Sequence, residues 1–117
     1  MTDTDCIFCK IVAGDIPSTK VLETERVLAF RDLYPKAPTH ILVVPKDHYA
    51  DTAAIAAADP QLTGELLNTA AEIAAAEGLA ESGWRLIANT GPDSGQEVGH
   101  VHFHVLGGKP LGPMVSA

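Results

Sequence analysis

Basic residues are scarce in this sequence. Eight Lys and Arg stand against fifteen Asp and Glu, a formal net charge of −7. That balance gives no cationic footprint for nucleic acid or for an anionic membrane surface. A phosphate-bearing ligand would have to be attracted locally, against the field of the whole chain. Long apolar runs are missing as well. Residues 41–44 stop at Pro45, and the alanine-rich stretch 53–58 stops at Asp59-Pro60, so neither approaches the roughly 20 residues of a membrane span. The first five residues show no cationic region followed by an apolar one, which argues against a secretory signal. Cysteine is limited to Cys6 and Cys9, too close together to staple a fold. A reducing, cytoplasmic setting fits that usage better than a disulfide scaffold. With 117 residues and no repeat or internal linker, the chain reads as one domain, 1–117, whose last residues, 107–117, form an irregular Gly/Pro-rich tail.

What is present is an ordered alternation of short apolar segments and breakers. Residues 6–14 predict one or two helical turns closed by Gly14. Residues 21–23 and 27–30 predict two short strands around the polar break Thr24-Glu25-Arg26. Residues 32–38 carry Pro35 and Pro38 and predict a loop. Residues 40–44 predict a buried strand ended by Pro45. The strongest helix signal spans 60–77, with Asp59 as its cap, Pro60 at its first position and Gly78 beyond its end. Leu62, Leu66, Ala70, Ile73 and Ala74 share one apolar stripe there. Residues 84–88 and 101–106 predict two more strands, joined by the glycine-rich loop 90–99. The strands come in a block and are not interleaved with helices. The expected class is α+β: a five-stranded antiparallel sheet with one main helix and a short N-terminal helix.

Three of the five histidines, His100, His102 and His104, occupy alternate positions of the last predicted strand. Side chains at that spacing share a face, about 7 Å apart, while Val101, Phe103 and Val105 take the other. A merely solvated face would carry Lys, Glu or Thr. The outer pair lies about 13 Å apart along a strand, whereas a Zn–N bond is about 2 Å. One ion could therefore take two neighbours but hardly three. Imidazoles acting separately are the better reading, with His102 as nucleophile and the others orienting it or donating to a charged ligand. An ordinary imidazole, with a pKa of about 6.5, is neutral and nucleophilic at cytosolic pH, and covalent catalysis splits one hard displacement into two easier ones. In the preceding loop, Gly91, Gly95 and Gly99 permit positive φ and close backbone approach. Turn N–H groups there can form an anion-binding concavity. The loop is not a P-loop, since it lacks the Gly-Lys-Ser/Thr ending and does not open a helix.

The run His100-Val101-His102-Phe103-His104-Val105-Leu106 resembles the signature of the histidine triad (HIT) superfamily. Four further segments resemble its Hint branch: residues 6–11, 30–32, 37–46 and 95–98. The resemblance implies a HIT-like fold and a homodimer that binds purine nucleoside monophosphates. It implies hydrolysis of nucleoside phosphoramidates and related nucleotidyl conjugates through a covalent nucleotidyl-histidine. On that resemblance His102 is the nucleophile, His104 lies beside the phosphate, and His40 and His100 are supporting imidazoles. Asp32 takes the ribose hydroxyls. Ile7, Phe8 and Leu33 lie near the base, and Asn89, Gly95, Gln96, Glu97 and Val98 form the phosphate-side loop. Glu97 stands where eukaryotic relatives carry a serine, so its side chain is expected to turn away while its backbone N–H is used. The tail also lacks a tryptophan found in some relatives.

Cys6-x-x-Cys9 allows three readings. A redox pair would need a βαβ context, which is absent. Two unrelated buried thiols are the plain alternative. The third is half of a structural zinc site. If the strands carrying His40 and His100 are antiparallel neighbours, His48 approaches His100 and His40 approaches His104. Cys6, Cys9, His48 and His100 are then the expected zinc ligands, an arrangement similar to that of certain bacterial HIT proteins. Competing functions are a dinucleotide polyphosphate hydrolase as in the Fhit branch, a non-catalytic nucleotide-responsive interaction module, and a zinc hydrolase using two triad histidines.

Overall fold

The computed structural model describes residues 5–115. The tips of both termini, including the first four residues of the segment tested for a signal and the last two of the tail, lie outside that range. The chain runs α1 (Ile7–Ala13), β1 (Lys20–Glu23), β2 (Val27–Arg31), β3 (Thr39–Pro45), α2 (Thr52–Ala58), α3 (Pro60–Ala76), β4 (Trp84–Ala88) and β5 (Phe103–Gly107). A single 3₁₀ turn, Pro92–Ser94, lies in the glycine-rich loop. The five strands form one antiparallel sheet in the order β1-β2-β3-β5-β4. The α+β class and the antiparallel sheet are those the sequence predicts.

The sheet is covered on both faces, and strand alternation sorts the side chains. Odd-numbered residues of β2, β3 and β5, among them Val27, Ala29, Ile41, Val43, Phe103 and Val105, pack with Leu62, Leu66, Ala70 and Ile73 of α3. Leu28, Phe30, Leu42 and Val44 face the other way, onto Phe8, Cys9 and Ile11 of α1. Buried on both sides, β2 and β3 read as continuous apolar runs. α3 starts where expected because the Asp59 side chain accepts from the Leu62 N–H at 3.0 Å and Pro60 opens the helix.

Two elements depart from expectation. The alanine-rich stretch forms α2, capped by Asp51 on the Ala54 N–H at 2.9 Å. It is only two turns long and buries just Ile55, too little apolar pattern to announce a helix. The last strand also starts later than predicted, at Phe103. Pro45 ends β3 and has no N–H to extend the ladder. Across from it, the Val101 N–H donates instead to the Tyr49 carbonyl at 2.7 Å. His100 and His102 therefore sit in an extended lead-in to β5, and His104 alone of the three lies in the strand.

β5 ends tightly against the loop before β3. Gly108 has φ +97°, and a Cβ there would lie 2.9 Å from Cβ of Pro38. Gly78 has φ +79° with open space around it. Gly108→Ala is expected to cost about 1–3 kcal/mol from combined strain and overpacking, and Gly78→Ala only the conformational part. Urea unfolding of the two variants checks this, and equal midpoints would refute it.

Candidate functional site

The α1 side of the sheet holds a pocket of about 440 Å³ between β2, β3, β5, α1 and the loops 32–38 and 89–98. His40, His102 and His104 line it, as do Ile7, Phe8, Asp32, Leu33, Asn89, Gly95, Glu97 and Val98. Register explains the meeting of His40 and His104. In the β3–β5 ladder Leu42 faces His104 and His40 faces Leu106, so the two histidines are diagonal neighbours on one face. Their rings meet with His40 Nε2 2.9 Å from His104 Nδ1. The His102 and His104 rings pack edge-on at 5.0 Å.

Two expected members are elsewhere. His100 is fully buried and does not line the pocket. The delayed start of β5 lets it turn among Cys6, Cys9 and His48. The pocket thus receives His40 in place of His100 beside the other two imidazoles. Gln96 is also absent from the lining. Its amide oxygen accepts from the Gly91 N–H at 2.9 Å, and its amide nitrogen donates to the Ala50 and Val98 carbonyls at 2.8 and 3.0 Å. It braces the glycine-rich loop instead of facing a ligand. Gly91 and Gly95 do adopt positive φ, 81° and 83°, while Gly99 does not.

Other lining residues went unforeseen. Phe30, Leu42 and Ile87 share the face of His40 and His104 on β2, β3 and β4. For Leu42 the signal was available, two residues from His40 on one strand, while Phe30 and Ile87 needed the registers of β2 and β4. Tyr34 was also unforeseen, and it joins the expected Ile7 and Leu33 in the lining; the three are 76%, 47% and 79% exposed. Large apolar side chains left open at one mouth suit a flat, partly apolar ligand group.

Backbone groups decide where each imidazole carries its proton. His102 Nδ1 lies 2.8 Å from the His100 carbonyl. A carbonyl only accepts, so Nδ1 holds the proton and Nε2 keeps a bare lone pair. The Lys36 backbone N–H donates to His40 Nδ1 at 3.0 Å, so His40 carries its proton on Nε2. His104 Nδ1 must then accept from His40, which leaves His104 with an Nε2–H. Burial lowers the pKa of His40. It lowers that of His104 to about 4, helped by the neighbouring His102 and His40 and opposed by Asp32. Both rings are neutral near pH 7.

A second cluster stands behind α1. Cys6 Sγ lies 3.4 Å from His100 Nδ1, Cys9 Sγ 3.6 Å from the same atom, and Cys9 Sγ 3.4 Å from His48 Nδ1. All four ligand atoms fall within 4.8 Å of one another. Tetrahedral zinc with Zn–S near 2.3 Å and Zn–N near 2.0 Å separates sulfur from nitrogen by about 3.5 Å. The donor chemistry agrees. His100 Nε2 donates to the Pro45 carbonyl at 2.9 Å, which turns its bare Nδ1 towards the sulfurs and supplies the outer hydrogen bond that metal-binding histidines use. The residues present fit a zinc ion.

A HIT domain model matches residues 13–111. The chain belongs to the HIT family. The HIT chain is 47% identical over 112 residues to a purine nucleoside phosphoramidase of Escherichia coli K12, covering 96% of this chain and 94% of that one. It is 45% identical over 113 residues to a 14 kDa zinc-binding protein of Zea mays, covering 95% and 88%. A histidine triad protein from Clostridium difficile has the same fold, with a TM-score of 0.93, 49% identity and coverage of 98% and 100%. No helix among the described residues is long and apolar enough to cross a membrane.

The depressed His104 pKa has a consequence for stability. In the unfolded chain this histidine titrates near 6.5, in the folded protein near 4. Between those values the unfolded state binds more protons, so stability is complete above pH 6.5 and falls as pH drops towards 4. Urea midpoints measured across this window are expected to slope downwards in acid, and the slope should flatten in His104→Gln. An unchanged slope in that variant would rule out the buried neutral ring.

Proposed function

We propose that this HIT protein is a hydrolase of purine nucleoside phosphoramidates and related nucleotidyl conjugates, acting through a nucleotide bound covalently to His102. The observation that carries the reading is the His102 ring. Its Nδ1–H is held by the His100 carbonyl at 2.8 Å, which leaves Nε2 bare on a ring that lines the pocket beside His104. In the first step Nε2 attacks the α-phosphorus, a P–Nε2 bond forms, and the P–N bond breaks as the leaving amine takes a proton from solvent. In the second step water attacks phosphorus and gives its proton to solvent while the P–Nε2 bond breaks, releasing the nucleoside monophosphate and restoring His102. The first displacement uses a better-placed nucleophile than free water offers, and the second starts from a more reactive phosphorus.

The remaining residues divide the substrate. His104 presents a neutral N–H to the phosphoryl oxygens, where charge grows in the transition state. Gly95, Glu97 and Val98 of the loop and Asn89 at the end of β4 flank the same region. Asp32 uses Oδ1 to accept from the Tyr34 N–H at 2.8 Å, and its other lone pairs serve the ribose hydroxyls. Ile7, Phe8 and Leu33 supply the apolar surface for the base. A second copy is part of the same proposal, covering the free edge of β4 and the exposed Leu67 of α3. A monomer mass in sedimentation equilibrium would remove that part.

The Cys6, Cys9, His48 and His100 cluster is assigned to structural zinc. When bound, the ion clamps the start of α1 to the segments flanking β3 and β5, a folding contribution rather than a chemical one. Protein purified without chelator should contain about one zinc per chain, and Cys6→Ser should lose it. A wild-type content near zero would end the assignment.

The catalytic reading is tested by quenching the enzyme during turnover of an adenosine phosphoramidate. Mass spectrometry should find one adenylate on His102. His102→Gln should lower kcat by at least about 10⁴-fold while adenosine monophosphate still binds. Near-normal turnover by that variant would overturn the mechanism.

A further inference from the structure

Asp32, His40 and His104 form a second cluster whose ligand atoms also lie within 4.8 Å of one another. By distance alone it resembles the zinc cluster. Its proton accounting differs. His100 turns Nε2 to a carbonyl, which leaves Nδ1 bare towards the sulfurs. His40 turns Nδ1 to an N–H donor, which forces the ring proton onto the nitrogen that faces Asp32 and His104. A cation on that nitrogen would leave the ring with no proton at all, or would set an Nδ1–H against the Lys36 N–H. Neither state is favourable for a ring only 5% exposed.

We propose that the backbone N–H of Lys36 is a positioning group for the phosphoryl transfer: by holding the His40 proton on Nε2 it keeps His104 presenting an N–H, not a bare nitrogen, to the nucleotide. The same contact shuts this cluster to metal and leaves the cysteine site as the one that takes it. The chain of consequence is short. Lys36 N–H donates to His40 Nδ1 at 3.0 Å, and His40 Nε2–H donates to His104 Nδ1 at 2.9 Å. His104 is then a donor at Nε2. Without the amide proton, only the Asp32 carboxylate, with Oδ2 3.4 Å from His40 Nε2, still favours the proton there, and it can move to Nδ1. His104 must then donate through its own Nδ1, and its Nε2 lone pair meets the phosphoryl oxygens.

The loop fixes the amide in place. The Asp32 N–H donates to the His40 carbonyl at 3.0 Å, and the Asp32 side chain accepts from the Tyr34 N–H. These bonds draw residues 32–40 into a closed return with Lys36 inside it. The Lys36 side chain is exposed, meets the Tyr34 carbonyl at 3.3 Å and runs along the pocket wall. The tautomer depends on its amide proton, which any residue but proline supplies.

The kinetic consequence rests on the phosphoramidase reading; the tautomer does not, and is measured without substrate. Nitrogen-15 spectra of the metal-loaded full-length protein should show Nδ1 unprotonated in both His40 and His104. Replacing the Lys36 amide by an ester, with the α-hydroxy analogue of lysine, removes the N–H and little else. Turnover of an adenosine phosphoramidate, as kcat/KM, should fall about 100-fold, the scale of losing one donor to a developing oxyanion. Lys36→Ala keeps the N–H and should leave Nδ1 of His40 and His104 unprotonated in the nitrogen-15 spectra. A protonated Nδ1 on wild-type His40, or an ester protein within about twofold of wild type, would overturn the proposal. His102→Gln decides separately whether the phosphoramidase reading itself holds.

Discussion

The register of β3 against β5 is the constraint on which the rest depends. Leu42 opposite His104 places His40 and His104 on the same face, one diagonal apart. Because side chains alternate, that register also sends Ile41, Val43, Phe103 and Val105 to the α3 core. A slip by one residue would exchange the two sets at once, burying imidazoles under α3 and exposing the core to the pocket. Packing and function therefore select the same pairing. The apolar half of each strand holds the register, and the polar half uses it.

Burial then settles the chemistry of the polar half. Imidazoles removed from water resist protonation, and main-chain groups dictate which nitrogen keeps the single proton. One carbonyl serves His102, one serves His100, and one amide serves His40. Rigid backbone is better suited to this than side chains, since it cannot change rotamer or charge. The outcome is two neighbouring clusters of similar span with opposite character. One offers bare nitrogen to two thiols, and the other joins two rings by a hydrogen bond.

Much of this was legible in the sequence, for identifiable reasons. Alternating histidines, breakers at Pro35, Pro38 and Pro45, and the Asp59-Pro60 start of α3 each have a local physical signature. The approach of His48 to His100, and of His40 to His104, followed from supposing β3 and the last strand to be antiparallel neighbours. What escaped depends on contacts between distant segments. Of the two places expected for His100, it takes the one beside the cysteines, because Pro45 cannot extend the ladder and the Val101 N–H turns to Tyr49. Gln96 serves the loop because Gly91 and Ala50 happen to lie within its reach. Asp51 capping and a lone buried Ile55 are too little pattern to announce α2.

The neutrality of the pocket bears on how the protein responds to its medium. The chain carries a net charge of −7, the proposed phosphate donor His104 is an uncharged ring, and Arg31 and Lys36 at the pocket wall are balanced by Asp32 and Glu97. Attraction is short-range, while repulsion of an anionic ligand by the whole molecule is long-range. Dissolved ions screen the second far more than the first. On the proposed reading, raising ionic strength weakens the repulsion of an anionic nucleotide more than its attraction to His104, opposite to the behaviour of a site built from Lys and Arg.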